Sequence, residues 1–198
     1  ELAPLLAQEH TALQERLHAW QANTRIAALN PRVRERLWQL MQYSLRWLAN
    51  APDKQGATEA GVLRFMDWLE TLIRKESYLA LLQERPAVQA HVLQILSRAR
   101  WPARHLARNP GVVDELSNQA MLGQRFDAQA FKQTLQLRLQ SLQSTGEDDE
   151  ESLLILLRRA MYAETFRTLA RDLDGRLSVE AVADDLSALA DAVLDIAI

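Results

Sequence analysis

Ser178-Val-Glu-Ala-Val-Ala-Asp-Asp-Leu-Ser-Ala-Leu-Ala-Asp-Ala-Val-Leu-Asp-Ile196 decides the fold class. Val179, Val182, Leu186, Leu189, Val193 and Ile196 recur at intervals of 3, 4, 3, 4 and 3. Those intervals trace one face of an α-helix and do not fit a strand, whose side chains alternate. Ser178 stands where its hydroxyl can accept from the orphan N–H groups of the first turn. The stripe predicts a buried face at these positions. Asp184, Asp191 and Asp195 share another face, with Asp191 and Asp195 mildly repulsive at i, i+4. That face reads as solvated, or as one awaiting a basic neighbour.

The same helical period extends back through the chain. Gly175 ends a long preceding helix. That helix starts after the acidic run Glu147, Asp148, Asp149, Glu150 and Glu151, where each negative charge near the N-terminus is favourable by ~0.3 to 1 kcal/mol. Before the run, Ser144 to Gly146 closes an amphipathic helix holding Phe131, Leu135, Leu139 and Leu142, and Ser117 to Asp127 reads as a looser stretch. Pro86, Pro102 and Pro110 are each better placed at a helix start than inside a helix, because proline removes a donor and clashes with the turn before it. Further upstream, Val62, Phe65, Met66, Leu69, Leu72 and Ile73 line one helix, which follows a polar loop from Pro52 to Gly56. Val33, Leu37, Leu40, Met41, Ser44 and Leu48 line another, which Asn30 and Pro31 start. Arg32, Glu35, Arg36, Gln39 and Arg46 oppose that stripe. Leu6, His10, Leu13, Leu17 and Trp20 form a first stripe. The chain is therefore expected to be all-α, a multi-helix bundle of amphipathic helices with room for two helical subdomains.

With 198 residues, 48% of them hydrophobic and 25% charged, the chain is long and apolar enough to bury a core. A net charge of −3 gives no global reason to bind nucleic acid or an anionic membrane surface. No cysteine is present, so disulfides and thiolate chemistry are absent. That composition, with no stretch long enough to span a bilayer, leads to a cytoplasmic expectation. The first residue is Glu1, and Ile196, Ala197 and Ile198 fall within an uncapped apolar pattern, so both ends read as cuts from a longer polypeptide.

Residues able to do chemistry are sparse. His10, His18, His91 and His105 lack the i, i+4 spacing of a zinc helix; His10 lies on an apolar stripe and the others read as surface or boundary residues. The 6 glycines form no phosphate loop. Asp172 and Asp174 form an Asp-x-Asp, but it precedes Gly175, where acidic turn residues are common. Trp20, Trp38, Trp47 and Trp68 lie at or beside apolar stripes, so packing explains them better than base stacking. No catalytic, cofactor or metal residue is assigned. Arg98, Arg100, Arg104 and Arg108 are the one local concentration of basic charge and the candidate contact for a partner or regulator. The plainer alternative is a solvated face whose aliphatic stems cover Trp101.

Several stretches, taken in order, carry a family resemblance. They are Tyr78-Leu-Ala-Leu-Leu-Gln-Glu-Arg-Pro86, Trp101-Pro-Ala-Arg-His-Leu-Ala-Arg-Asn-Pro110 and Val113-Asp-Glu-Leu116. Arg167, the turn Asp172 to Gly175 and Val182-Ala-Asp-Asp-Leu-Ser-Ala-Leu-Ala-Asp-Ala-Val-Leu194 continue the series. Together they resemble the bacterial glutamine synthetase adenylyltransferase family from Tyr78 to Ile198, whereas residues 1–76 match only in helical character. Gly111, Val112, Val113, Ser117 and Asn118 depart from the family's Leu-rich pattern.

In that family two nucleotidyltransferase domains share one polypeptide. One adds AMP to glutamine synthetase and the other removes it, with ATP and Mg²⁺, under control of glutamine and the PII signal protein. The resemblance implies that this chain is a non-catalytic helical region leading into the second such domain. An N-terminal bundle would occupy 1–116 and connector helices 117–198. Flanking nucleotidyltransferase domains, glutamine synthetase and PII are the implied partners, with neither nucleic acid nor membrane. The family's Gly-Ser pair followed by Asp-x-Asp has no counterpart, so no catalytic role passes to Asp172 or Asp174. The alternative is a free-standing helical interaction module that binds an acidic or helical partner through the arginines.

Overall fold

A computed structural model describes residues 10–50, 58–117 and 123–197. Leu6, the loop from Pro52 to Gly56, Asn118 and Ile198 lie outside the described residues. Ten α-helices and one 3-10 segment make up the described elements, with no strand among them. They are α1 (Thr11–Gln21), α2 (Thr24–Ala27), α3 (Pro31–Asn50), α4 (Glu59–Leu72), α5 (Glu76–Glu84), α6 (Pro86–Arg98) and α7 (Trp101–Arg108). The 3-10 segment Pro110–Ser117 follows, then α8 (Ala128–Thr145), α9 (Glu150–Leu173) and α10 (Val179–Ala197). The prolines open elements as expected: Pro86 begins α6, Pro102 sits in the first turn of α7 and Pro110 begins the 3-10 segment. The chain separates into two compact units between Val113 and Asp114.

In the first unit α4 is the central element, meeting α1, α3, α5, α6 and α7. Gly61, Val62, Phe65, Met66, Trp68, Leu69 and Leu72 are all buried along it. Gly61 lets α4 and α6 meet closely, since a Cβ there would lie 2.0 Å from Ser97 Oγ and 2.8 Å from Ser97 Cα. The start of α4 is tied to the same place: Thr58 Oγ1 accepts from Gly61 N at 3.0 Å, and Thr58 N donates to Ser97 Oγ at 3.2 Å. The α3 stripe is buried, Ser44 included. Ser44 belongs there because its hydroxyl donates to Leu40 O, while buried Gln89 of α6 donates to both Leu40 O and Ser44 Oγ. The Ser44 hydroxyl and the Gln89 amide nitrogen are thus both satisfied inside the core.

The N-terminal helix borrows its cap. His10 gives α1 no side-chain cap, and Glu59 of α4 accepts from Leu13 N at 2.7 Å instead. Glu70 of α4 accepts from Arg16 at 2.7 Å and from the buried Trp20 indole, so both ends of α1 are held to α4 by carboxylates.

The second unit contains α8, α9 and α10 in mutual contact. Leu135, Leu157 and Ala160 form its apolar cluster, with Phe131, Leu156 and Ile196 packed around it. Asp127 caps α8 and Asp149 caps α9 through Ser152 N, which puts the acidic run where the helix dipole favours it. Gly146 and Gly175, both at φ 72°, end α8 and α9 in left-handed turns. At the second, Gly175 N donates to Asp172 O and Arg176 N to Arg171 O, satisfying the last carbonyls.

Two elements depart from the sequence expectation. On α10 the buried residues are Asp185, Leu189 and Ala192, while Val179 is 79% and Leu186 38% exposed. The helix is rotated so that a carboxylate points inward, because Arg125 meets it there. On α9 the buried residues are Leu157, Ala160, Glu164, Phe166, Thr168, Ala170 and Arg171, so two charged side chains lie among the apolar ones. Glu164 and Arg171 belong to an ion-pair network that apolar periodicity cannot register.

Candidate functional site

The arginine segment spans a helix break. α6 ends at Arg98, Ala99 is extended at φ −145° and ψ 155°, and Arg100 stands at the N-terminal boundary of α7 without a side-chain capping bond. Arg104 and Arg108 lie one turn apart on α7, on the same side as Trp101 at i, i+3 and i+7. Arg98, Arg100, Arg104 and Arg108 are all exposed, and none is paired with a carboxylate among the described residues. Trp101 is 45% exposed and stacks on His105, with ring centroids 4.7 Å apart and planes 22° from parallel. The indole is therefore seated on the imidazole. His105, read from sequence as a surface or boundary residue, is buried. The same short helix buries Pro102 and Leu106, which anchor the patch to the first unit.

In the second unit Glu164 and Arg171 are almost fully buried on α9. Arg171 donates to Glu164 Oε1 from Nη1 and Nη2, both at 3.1 Å, and Arg167 Nη1 donates to Glu164 Oε2 at 2.5 Å. Arg167 reaches further, to Glu115 in the 3-10 segment, through Nε at 2.8 Å and Nη2 at 2.6 Å. Burial lowers the Arg167 pKa, but Glu115 and Glu164 outweigh it and hold the guanidinium above the ordinary arginine value. Two carboxylates and two guanidiniums thus balance in charge at a place largely shielded from water, where a missing partner is costly. Glu115 and Arg167 are 52 residues apart, so only the fold brings them together.

Arg125 forms the other long-range contact, donating from Nε to Asp185 Oδ1 at 2.7 Å, with Nη2 3.7 Å from Asp184. Asp185 raises the Arg125 pKa by hydrogen bond and charge. Lys132 of α8 pairs with Asp195, so two of the three aspartates expected on one α10 face have a basic neighbour inside the chain.

The Asp-x-Asp is a turn feature. Asp174 is the C-terminal cap of α9 and lies 3.6 Å from Arg176 Nε. No group of three or more His, Cys, Asp or Glu able to hold a metal occurs among the described residues. Among the described residues no helix is long and apolar enough to cross a membrane.

Comparison with known proteins gives these elements a context. Residues 89–198 match the family described as glutamate-ammonia ligase adenylyltransferase. A bifunctional glutamine synthetase adenylyltransferase/adenylyl-removing enzyme of Burkholderia mallei is 41% identical over all 198 residues, which make up 20% of its length. Proteins of that name from Ralstonia nicotianae and Neisseria meningitidis are 37% identical over 182 residues and 38% over 133. Those stretches cover 92% and 67% of this chain, and 18% and 14% of the relatives. The chain spans about a fifth of the length of the Burkholderia relative. The matched region holds the arginine-bearing helix, the Glu115–Arg167–Glu164–Arg171 network and α10 together. The chain belongs to the glutamate-ammonia ligase adenylyltransferase family.

Proposed function

We propose that the chain is a non-catalytic helical connector and regulatory segment of a longer bifunctional enzyme that adds AMP to glutamine synthetase and removes it. The observation that carries this reading is the alignment of all 198 residues with one fifth of a relative bearing that name. Asp174 is the C-terminal cap of α9 beside Arg176, so the Asp-x-Asp reads as a helix-end turn. In this reading Mg²⁺ and ATP act at the nucleotidyltransferase domains of the longer polypeptide. Flanking nucleotidyltransferase domains are the immediate partners, with glutamine synthetase and PII acting on the same polypeptide in the cytoplasm.

Arg98, Arg100, Arg104 and Arg108, with the half-exposed Trp101, are the contact through which this segment senses a partner. Exposed guanidiniums without carboxylates suit an acidic surface, and an aromatic ring among them adds apolar area at little entropic cost. Arg104→Glu with Arg108→Glu, placed in the full-length enzyme, tests the assignment. Basal transfer and removal should stay near normal, while the response to glutamine or PII shifts by a coupling energy of ~1 to 3 kcal/mol. An unchanged response would reduce the patch to a solvated face. Loss of basal chemistry with the circular dichroism intact would make the segment part of an active site.

A further inference from the structure

α10 carries a second apolar face that its own bundle does not use. Val179, Ala183, Leu186, Ala190, Leu194 and Ala197 are all exposed, Val179 at 79%, Leu186 at 38% and Leu194 at 57%. At 100° per residue these six fall within about 80° of arc, and they run about 27 Å along the helix. The buried face, with Asp185, Leu189 and Ala192, lies on a different arc. Glu180, Asp184, Ser187, Asp191 and Asp195 form the row beside the exposed stripe. Exposed apolar side chains scattered singly are ordinary, but a stripe in helical register beside a single-sign row has the form of a docking face.

Charge separates the candidate occupants. Asp184 is 3.7 Å from Arg125 and Asp195 is paired with Lys132, whereas Glu180 and Asp191 have no cationic partner among the described residues. Those two acids are three helical turns apart on the same row, about 16 Å. An anionic membrane surface would be repelled by the row. An antiparallel second copy of α10 would place the two acid rows side by side, which is also repulsive.

We propose that the exposed stripe of α10 receives an amphipathic helix whose apolar face is flanked by lysine or arginine, with two basic residues about three turns apart meeting Glu180 and Asp191. The apolar contact supplies the attraction and the acid row sets side and register. This surface is independent of the arginine patch on α7, and the proposal stands whether or not that patch is regulatory.

The test uses the 198-residue chain and a fluorescein-labelled helical peptide with leucines on one face and lysines beside them. A second peptide has glutamates in place of the lysines. The lysine peptide should bind in an anisotropy titration, and the glutamate peptide at least about tenfold more weakly. Val179→Asp and Leu194→Asp lie at exposed positions and should each weaken the lysine peptide by about tenfold with unchanged circular dichroism. Asp191→Lys should move the preference toward the glutamate peptide. Absence of binding by the lysine peptide, binding indifferent to Leu194→Asp, or equal affinity for both peptides would overturn the proposal. So would a dimer of the chain, seen by sedimentation, that Leu194→Asp dissociates, because a second copy would then be the occupant.

Discussion

Arg125, in the connection before α8, holds Asp185 in the middle of α10 across 2.7 Å, and the carboxylate is 4% exposed while the guanidinium is 55% exposed. The arginine brings a solvated charge to a buried one, so losing the two partners has unequal effects. Arg125→Ala strands a buried carboxylate and should lower the thermal midpoint. Arg125→Ala with Asp185→Leu should be milder than Arg125→Ala alone, because a buried group without its partner costs more than replacing both by apolar groups. Thermal melts of the single and double variants check the order, and a double variant worse than Arg125→Ala would contradict it.

The rotation of α10 makes neighbouring leucines unequal. Leu189 is 3% exposed and Leu186 38%. Leu189→Asp should cost about 3 kcal/mol or more, by placing an unpaired charge against α8 and α9. Leu186→Asp should cost under about 1 kcal/mol. Urea unfolding of the two variants gives the comparison, and equal losses would restore the face expected from apolar spacing alone.

Glu164 is the shared acceptor of Arg167 and Arg171, so it is the sensitive member of the network. Glu164→Ala should destabilise the second unit by about 3 kcal/mol, since it leaves two guanidiniums with too few acceptors in a buried setting. Glu115→Ala, at the more exposed end, should cost about 1 kcal/mol. A double-mutant cycle of Glu115 with Arg167, followed by denaturant unfolding, measures their coupling; additive losses would mean that the contact contributes nothing.

Asp149 accepts from the Ser152 backbone and side chain, which holds its carboxyl below the ordinary aspartate value of 3.8. A depressed folded pKa contributes stability that is present above the unfolded value and lost as pH falls through the folded one. The start of α9 should therefore loosen on acidification below that range. Asp149→Asn, which keeps an accepting oxygen, should remove this part of the pH dependence. Hydrogen exchange at the Ser152 amide against pH reads it directly, and identical slopes in both proteins would count against the cap.

Apolar period alone recovers α3 and α4, because every position of their stripes before Ile73 is buried and the one polar member, Ser44, is satisfied locally. The prolines at 86, 102 and 110 were legible for an equally local reason: each fits a first turn and obstructs an interior. Asp185, Glu164 and Arg171 were not legible. Their burial depends on Arg125, Arg167 and Glu115, and a stripe that counts only apolar residues turns α10 toward Leu186 and overlooks Glu164 and Arg171 on α9. Arg167 and Glu115 lie in stretches that resemble the family, but the sequence has no local signal that they meet. On the arginine segment the sequence located the charge, while the break at Ala99 and the stacking of Trp101 on His105 needed coordinates.

The contact of Gly61 with Ser97 has a mechanical consequence. Where helices cross on ordinary side chains, they can slide by rotamer changes; where one backbone sits against another, no compliant layer remains. The start of α4 and the end of α6 are welded at that point, with Thr58 bonded to Ser97 as a second fastening. α7 hangs from α6 after a two-residue break and also rests on α4. Arg104 and Arg108 therefore stand on a short helix seated against two elements that are themselves fastened backbone to backbone.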